Sequence, residues 1–252
     1  MMESAEGPVI ACIDGSSYLG SVCDHAATLA ARLRVGVELL HVEEPPADRH
    51  GGAGGPPRPH GPRRSLSDPV VRDAAARLSE NGAQVQELFT ADGPFLPIAA
   101  RLSRTASCVV VGRRGLSSER QSSGLGDNIE RLLRHLEPAV CVAPKLHLPG
   151  RRALILFDER RPTRGYAGFL ASHPLLHGLS FDVASVPSDD PGGGSACEGV
   201  VETLAQYFAD HRCDLIVAPR SVFLDPAGDL TALGEALSAW RVPILFPPRF
   251  DA

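Results

Sequence analysis

The stretch GRRGLSSERQSSGLGDNIERLL, from Gly112 to Leu133, holds the residues best spaced for chemistry. The apolar run Val109–Val111 ends in Gly112, with Gly115 three residues on. A parallel strand ending in Gly-x-x-Gly lets the backbone turn closely above the carboxyl edge of a sheet, where α/β folds bind ligands. A helical pattern begins near Gly126 and Asp127, and the first N–H groups of a helix offer donors to an anion. Arg113, Arg114 and Arg120 add positive charge. Together these residues describe a nucleotide or phosphate cradle. It is not a Walker loop, because GxxxxGK is absent, and GLGDNI does not directly follow a strand as a dinucleotide fingerprint must.

Asp127 complicates the cradle. With Glu130 three residues later it reads as a capping-box analogue, a sufficient structural reason for a carboxylate at a helix start. A carboxylate there also faces any bound phosphate. At ~4 Å two unit charges repel by about 4 kcal/mol at an effective dielectric of about 20, whereas a helix terminus offers an anion only ~0.3–1 kcal/mol. Mg²⁺ shared between Asp127 and phosphate oxygens reverses that balance, since magnesium favours this ligand pair. The loop is therefore expected either to hold an anion with a cation's help or to be an empty or repurposed site.

Other reactive groups point less clearly to chemistry. Ser117, Ser118, Ser122 and Ser123 make a serine-rich loop of the usual solvated kind. Cys23, Asp24 and His25 are adjacent on a helical pattern and diverge by about 100° each, so they cannot converge as a triad. None of the six cysteines pairs at CxxC spacing, and Cys12, Cys108 and Cys141 lie in or beside β-like runs, where cysteine acts as a small hydrophobe. His173 and His177 are separated by Pro174, which weakens a helical metal pair and marks them as surface or loop residues. With no GxSxG or HExxH either, a nucleotide hydrolase or phosphoryl transferase is the less favoured class, and no catalytic residue is assigned.

The elements that must position the loop are those of a parallel α/β sheet. PVIACID, VGVELLHVEE, AQVQELFTAD, CVVVG and AVCVAP read as strands, with helical patterns between them, giving βαβαβαβαβ over residues 8–144. Pro69 and Gly82 bracket one helix in the favoured order. Residues 45–64, rich in Pro, Gly and basic side chains, read as a mobile loop. The net charge of -5 gives no electrostatic reason to expect nucleic acid or an anionic membrane. No apolar run approaches the ~18 residues of a membrane span, and the N-terminal stretch lacks a secretory pattern, so the cytoplasm is the expected compartment.

The chain then starts again. ALILFDER mirrors VIACIDGS, SFDVASVP mirrors ELLHVEEP, DLIVAPRS mirrors CVVVGRRG, and PILFPPR mirrors AVCVAPK, all in the same order. The second copy is about 38 residues shorter between its outer blocks, so four strands are expected against five in the first. The expected architecture is two tandem doubly wound, Rossmann-like repeats, 1–148 and 149–252, the second shortened by about one strand and one helix. Ala218, Pro219 and Ser221 stand where the first repeat has its turn glycines, and a proline lacks the N–H that a phosphate needs. The second repeat therefore reads as a non-binding packing partner, with Asp158 simply the end of a strand.

The sequence VVVGRRG, a ten-residue loop, GDNIERLLR and AVCVAP resembles the universal stress protein family, and VIACIDGS resembles that family's first strand with its aspartate. The tandem arrangement resembles its two-domain members, and ASHPLLHGL is similar to the first helix of their second half. The likeness is strong over 8–145 and weaker over 151–250. It implies an adenine-nucleotide site, with Asp14 and Val42 near the base and Gly112, Gly115 and Gly126 around the phosphates of ATP or AMP. The family pattern G-x2-G-x9-G-[S/T] is altered here: ten residues separate Gly115 from Gly126, and Asp127 takes the Ser/Thr position. The resemblance implies a stress-response regulator or adaptor, with an unknown protein partner. A ligand-free interaction module with a relic site is the alternative. Family dimers pair through their last strands, so either the two repeats pair within a monomer or two chains form a homodimer.

Overall fold

The structure, a computed structural model, describes residues 7–43, 63–64, 67–115, 127–158, 164–186, 196–223 and 241–250. The first apolar run forms β1 (Val9–Ile13), buried throughout. α1 (Leu19–Leu33) buries Val22, Ala26, Leu29 and Leu33 at helical spacing and ends where Arg34 turns left-handed at φ 60°. β2 (Val37–Glu43) and β3 (Arg63–Arg64) precede α2 (Pro69–Glu80). Asp68 caps α2, its carboxylate accepting from the Val70 N–H at 2.8 Å, with Pro69 at the first turn where its missing N–H is harmless. β4 (Val85–Asp92), α3 (Phe95–Leu102), β5 (Cys108–Gly112), α4 (Asp127–His135) and β6 (Ala139–Ala143) complete the first half.

The second half runs β7 (Arg152–Asp158), α5 (Arg164–Ser172), β8 (Ser180–Val186), α6 (Ala196–Asp210), β9 (Leu215–Val217), α7 (Arg220–Phe223) and β10 (Ile244–Phe246). Among the described residues the second half has the four strands expected, and the first has six where five were expected, because β3 adds to its edge. ASHPLLHGL is not one helix, because α5 ends at Ser172 and Pro174 starts a separate 3-10 turn, Pro174–Leu176. Proline cannot donate within a continuing helix, and the His173 side chain caps the new turn by accepting from the Leu175 N–H.

The ten strands among the described residues join one sheet in the order β3-β4-β2-β1-β5-β6-β10-β9-β7-β8. Pairing is parallel except where β3 meets β4 and β10 meets β6. The last strands of the two halves thus pair antiparallel within one chain, as internal pairing requires. The segment 45–64 was expected to be a mobile loop, yet its last two residues are ordered as β3 against Phe89 and Thr90; residues 45–62 lie outside the described residues. Helices cover both faces. Val22, Leu29 and Leu78 share one apolar cluster with Tyr166 and Phe169, while Ile98, Leu132 and Leu133 share the other with Val200 and Leu204. Each cluster draws on both halves, so the core is continuous across the β6–β10 seam.

Candidate functional site

From β1 the chain moves outward to β2 and β4, then returns to the other side of β1 to form β5 and β6. The order therefore reverses between β1 and β5, and a doubly wound sheet opens its ligand crevice beyond the carboxyl ends at such a point. Asp14 leaves β1 there, and Gly112 closes β5 beside it. Asp14 Oδ1 accepts from the Ser16 N–H at 3.1 Å, and the Ser16 hydroxyl oxygen accepts from the Tyr18 N–H at 3.3 Å. This turn fixes the carboxylate and lays the buried Tyr18 ring under the loop that follows β5.

Both turn glycines have a steric reason. A Cβ on Gly112 would lie 2.8 Å from Tyr18 Cβ, and one on Gly115 would lie 3.0 Å from Asp14 Oδ2. Asp14 and Gly115, distant in sequence, are thus brought into contact range. Val42 lies one step past the Ile13–His41 pair of β1 and β2, level with Asp14, and is half-buried against the α3/α4 cluster. Strand alternation puts Asp14 on the same face as Cys12 of that cluster. Gly126, Arg120 and the loop serines lie outside the described residues, and Asp127 is the first residue of α4.

Arg113 departs from its expected role. Its side chain is buried, and one Nη donates to the Val242 carbonyl oxygen at 2.8 Å, across in the second half. Burial pushes its pKa down to about 10, with the Arg114 charge adding to that effect. The physical reason is the seam: a carbonyl beside β10 needs a donor, and the turn after β5 brings this guanidinium to it. Sequence reasoning missed two other groups at the crevice. Tyr18 shields the loop, and Lys145, just past β6, holds its ammonium 5.6 Å from the Tyr18 ring centre. The adjacency of Lys145 to a strand end was the available signal.

The equivalent turn of the second half is tied to the sheet and to the end of α4. The Ala218 N–H donates to Leu245, Pro219 has no N–H, and the buried Arg220 donates to the carbonyls of Leu133, Leu136, Pro138 and Pro247. A cavity of about 270 Å³ opens elsewhere, lined by Leu146, Leu148, Phe208 and Val242 with Arg212 and Arg241, and it includes none of the switch-point residues. The thiols of Cys12, Cys23, Cys141 and Cys213 are buried and pushed up to about 12, so they stay protonated and pack as apolar groups.

A model of the universal stress protein family matches residues 7–144, more than half of the chain, and the chain belongs to that family. Universal stress protein Slr1230 of Synechocystis sp. is 22% identical over 198 residues, which cover 71% of this chain and 69% of that one. Among solved structures, a functionally unknown protein from Pseudomonas aeruginosa PAO1 aligns over 97% of this chain and 94% of its own, with a TM-score of 0.63 at 13% identity. A universal stress protein from Archaeoglobus fulgidus aligns over 97% of both chains, with a TM-score of 0.53 at 13% identity. At such identities the likeness speaks for the fold, which both share along nearly the whole chain. No helix among the described residues is long and apolar enough to cross a membrane.

Proposed function

We propose that the protein is a cytoplasmic regulator or adaptor of the stress response that binds one adenine nucleotide, ATP or AMP, at the β1/β5 switch point of its first half. The observation that carries this reading is the approach of Gly115 to the Asp14 carboxylate, with the Cβ position 3.0 Å from Oδ2. A carboxylate fixed by its own turn is a good acceptor for an adenine or ribose donor, and Val42 supplies an apolar wall beside it. Gly112 and Gly115 keep the loop close and bare, so that backbone can approach phosphate. Asp127 at the start of α4 opposes a phosphate unless Mg²⁺ joins them. In this reading the second half binds no nucleotide.

The test is ligand-induced thermal stabilisation with ATP and AMP, with and without Mg²⁺. Asp14→Ala and Gly115→Val are expected to abolish the shift, while Asp127→Ser is expected to make ATP binding independent of magnesium. Equal shifts in wild type and both site variants would remove the site. The withdrawal of Arg113 into the seam favours a second reading, a ligand-free interaction module, because it takes one cation away from any phosphate. That reading expects no shift even at millimolar nucleotide.

A further inference from the structure

On the opposite face of β2 from Val42, three groups far apart in sequence converge. His41, Glu43 and Asp68 each offer one ligand atom, and these atoms all lie within 4.8 Å of one another. His41 is buried, Asp68 is half-buried and Glu43 is exposed, so the cluster opens to solvent on its Glu43 side. His41 and Glu43 are two apart on β2 and share a face, which is also the face of Leu39 in the α1/α2 cluster. Asp68 is the residue that caps α2.

The hydrogen bonds assign roles to the individual atoms. His41 Nδ1 lies 3.0 Å from the Ile13 carbonyl oxygen, which can only accept, so Nδ1 carries a proton. Nε2 then faces Asp68 Oδ2 at 3.2 Å. A neutral imidazole lone pair facing a carboxylate oxygen is repulsive, so something positive must lie between them, a second proton or a metal ion. Asp68 is divided in the same way: Oδ1 is held by the Val70 N–H at 2.8 Å, leaving Oδ2 to the shared space. An imidazole whose far nitrogen is anchored to a backbone carbonyl is the usual outer-shell arrangement of a metal-binding histidine. Metal–ligand bonds of about 2.1 Å place neighbouring donors roughly 3.0–3.4 Å apart, which brackets the observed 3.2 Å.

We propose that His41 Nε2, Asp68 Oδ2 and a Glu43 carboxylate oxygen form a site for a divalent transition cation of the zinc or manganese class, with water completing its coordination. One imidazole with two carboxylates is a borderline-to-hard donor set, which disfavours thiolate-seeking metals. The site joins the end of β2 to the start of α2 and stands independently of the nucleotide reading.

The probes are Zn²⁺ and Mn²⁺ alone, titrated calorimetrically into the chelator-treated full chain without nucleotide. One equivalent of Zn²⁺ is expected to bind and to raise the melting temperature. Asp68→Asn keeps the helix cap, since an amide oxygen still accepts from Val70, and Glu43→Gln alters only an exposed side chain. Each is expected to weaken zinc binding roughly tenfold or more, while His135→Gln, on α4, leaves it unchanged. Zinc is also expected to move the His41 ring nitrogen resonances while Nδ1 keeps its proton. Absence of stoichiometric binding would mean that the bridge is only an imidazolium–carboxylate pair, and binding untouched by both carboxylate variants would place the metal elsewhere; either overturns the site.

Discussion

At Gly112 a single methyl group decides whether the loop after β5 can pass Tyr18. The Cβ of an alanine would meet Tyr18 Cβ at 2.8 Å, and that atom sits at the base of a buried side chain, not at a flexible end. Gly112→Ala is therefore expected to cost about 1–3 kcal/mol, the range for overpacking, read from the midpoint of urea unfolding. His25 gives a prediction in pH. Its Nδ1 donates to the Ser21 carbonyl at 2.8 Å, and its buried Nε2 has no hydrogen-bond partner among the described residues. Burial, helped by the His147 charge against the opposing Ser21 bond, pushes its pKa down to about 4. An unfolded histidine titrates near ~6.5. The depressed value means that its contribution is complete above about pH 6.5 and is lost as pH falls toward 4, by about 3 kcal/mol. His25→Gln should flatten that part of the stability curve in urea titrations at stepped pH; an unchanged curve would assign the acid sensitivity to other groups.

Among the elements, the central strands were legible because parallel strands covered on both faces are apolar at every position, as CVVVG and AVCVA are. α2 was legible from its proline and glycine punctuation. The short β3 was not, since two arginines beside a Pro/Gly-rich run carry no strand pattern and pair only because β4 offers an edge. α5 was obscured by Pro174, which splits an apparently continuous pattern into a helix and a 3-10 turn. At the site, residue types were legible and partners were not. The resemblance named Asp14 and Gly115 but not their approach to each other, and Arg113 and His41 meet Val242 and Asp68, distant in the chain and invisible to spacing rules. The outer strands of the two halves also differ. β8 is the last strand in the order, and Phe181 and Val183 on it are 42% and 64% exposed. In the first half, α2 covers the matching face of β2 through Val71 and Leu78.

At the scale of the whole molecule, two arginines stitch the halves together from opposite sides. Arg113, after β5, donates to the carbonyl of Val242 just ahead of β10; Arg220, after β9, donates to that of Pro138 just ahead of β6. Arg220 also holds the Leu133 carbonyl of α4 and the Leu136 carbonyl just past it, at the end of the helix opposite Asp127. Its guanidinium, pushed down to about 10 by burial and the nearby Arg249 charge, remains a cation at neutral pH. Arg220→Ala would leave several buried carbonyls without their donor, and a loss on the order of 3 kcal/mol is expected in denaturant unfolding. Arg220→Lys should recover only part of it, because an ammonium lacks the planar fork that reaches carbonyls on several elements. The two halves thus differ at this edge of the sheet: the turn after β9 is tied to β10 and to the segment before β6, whereas the turn after β5 brings Gly115 beside Asp14. The most direct test of that asymmetry is native mass spectrometry of the full chain with Mg²⁺–ATP, alongside Asp14→Ala. One nucleotide per wild-type chain, lost in the variant, is the predicted result; two per chain, or none at millimolar ATP, would contradict it.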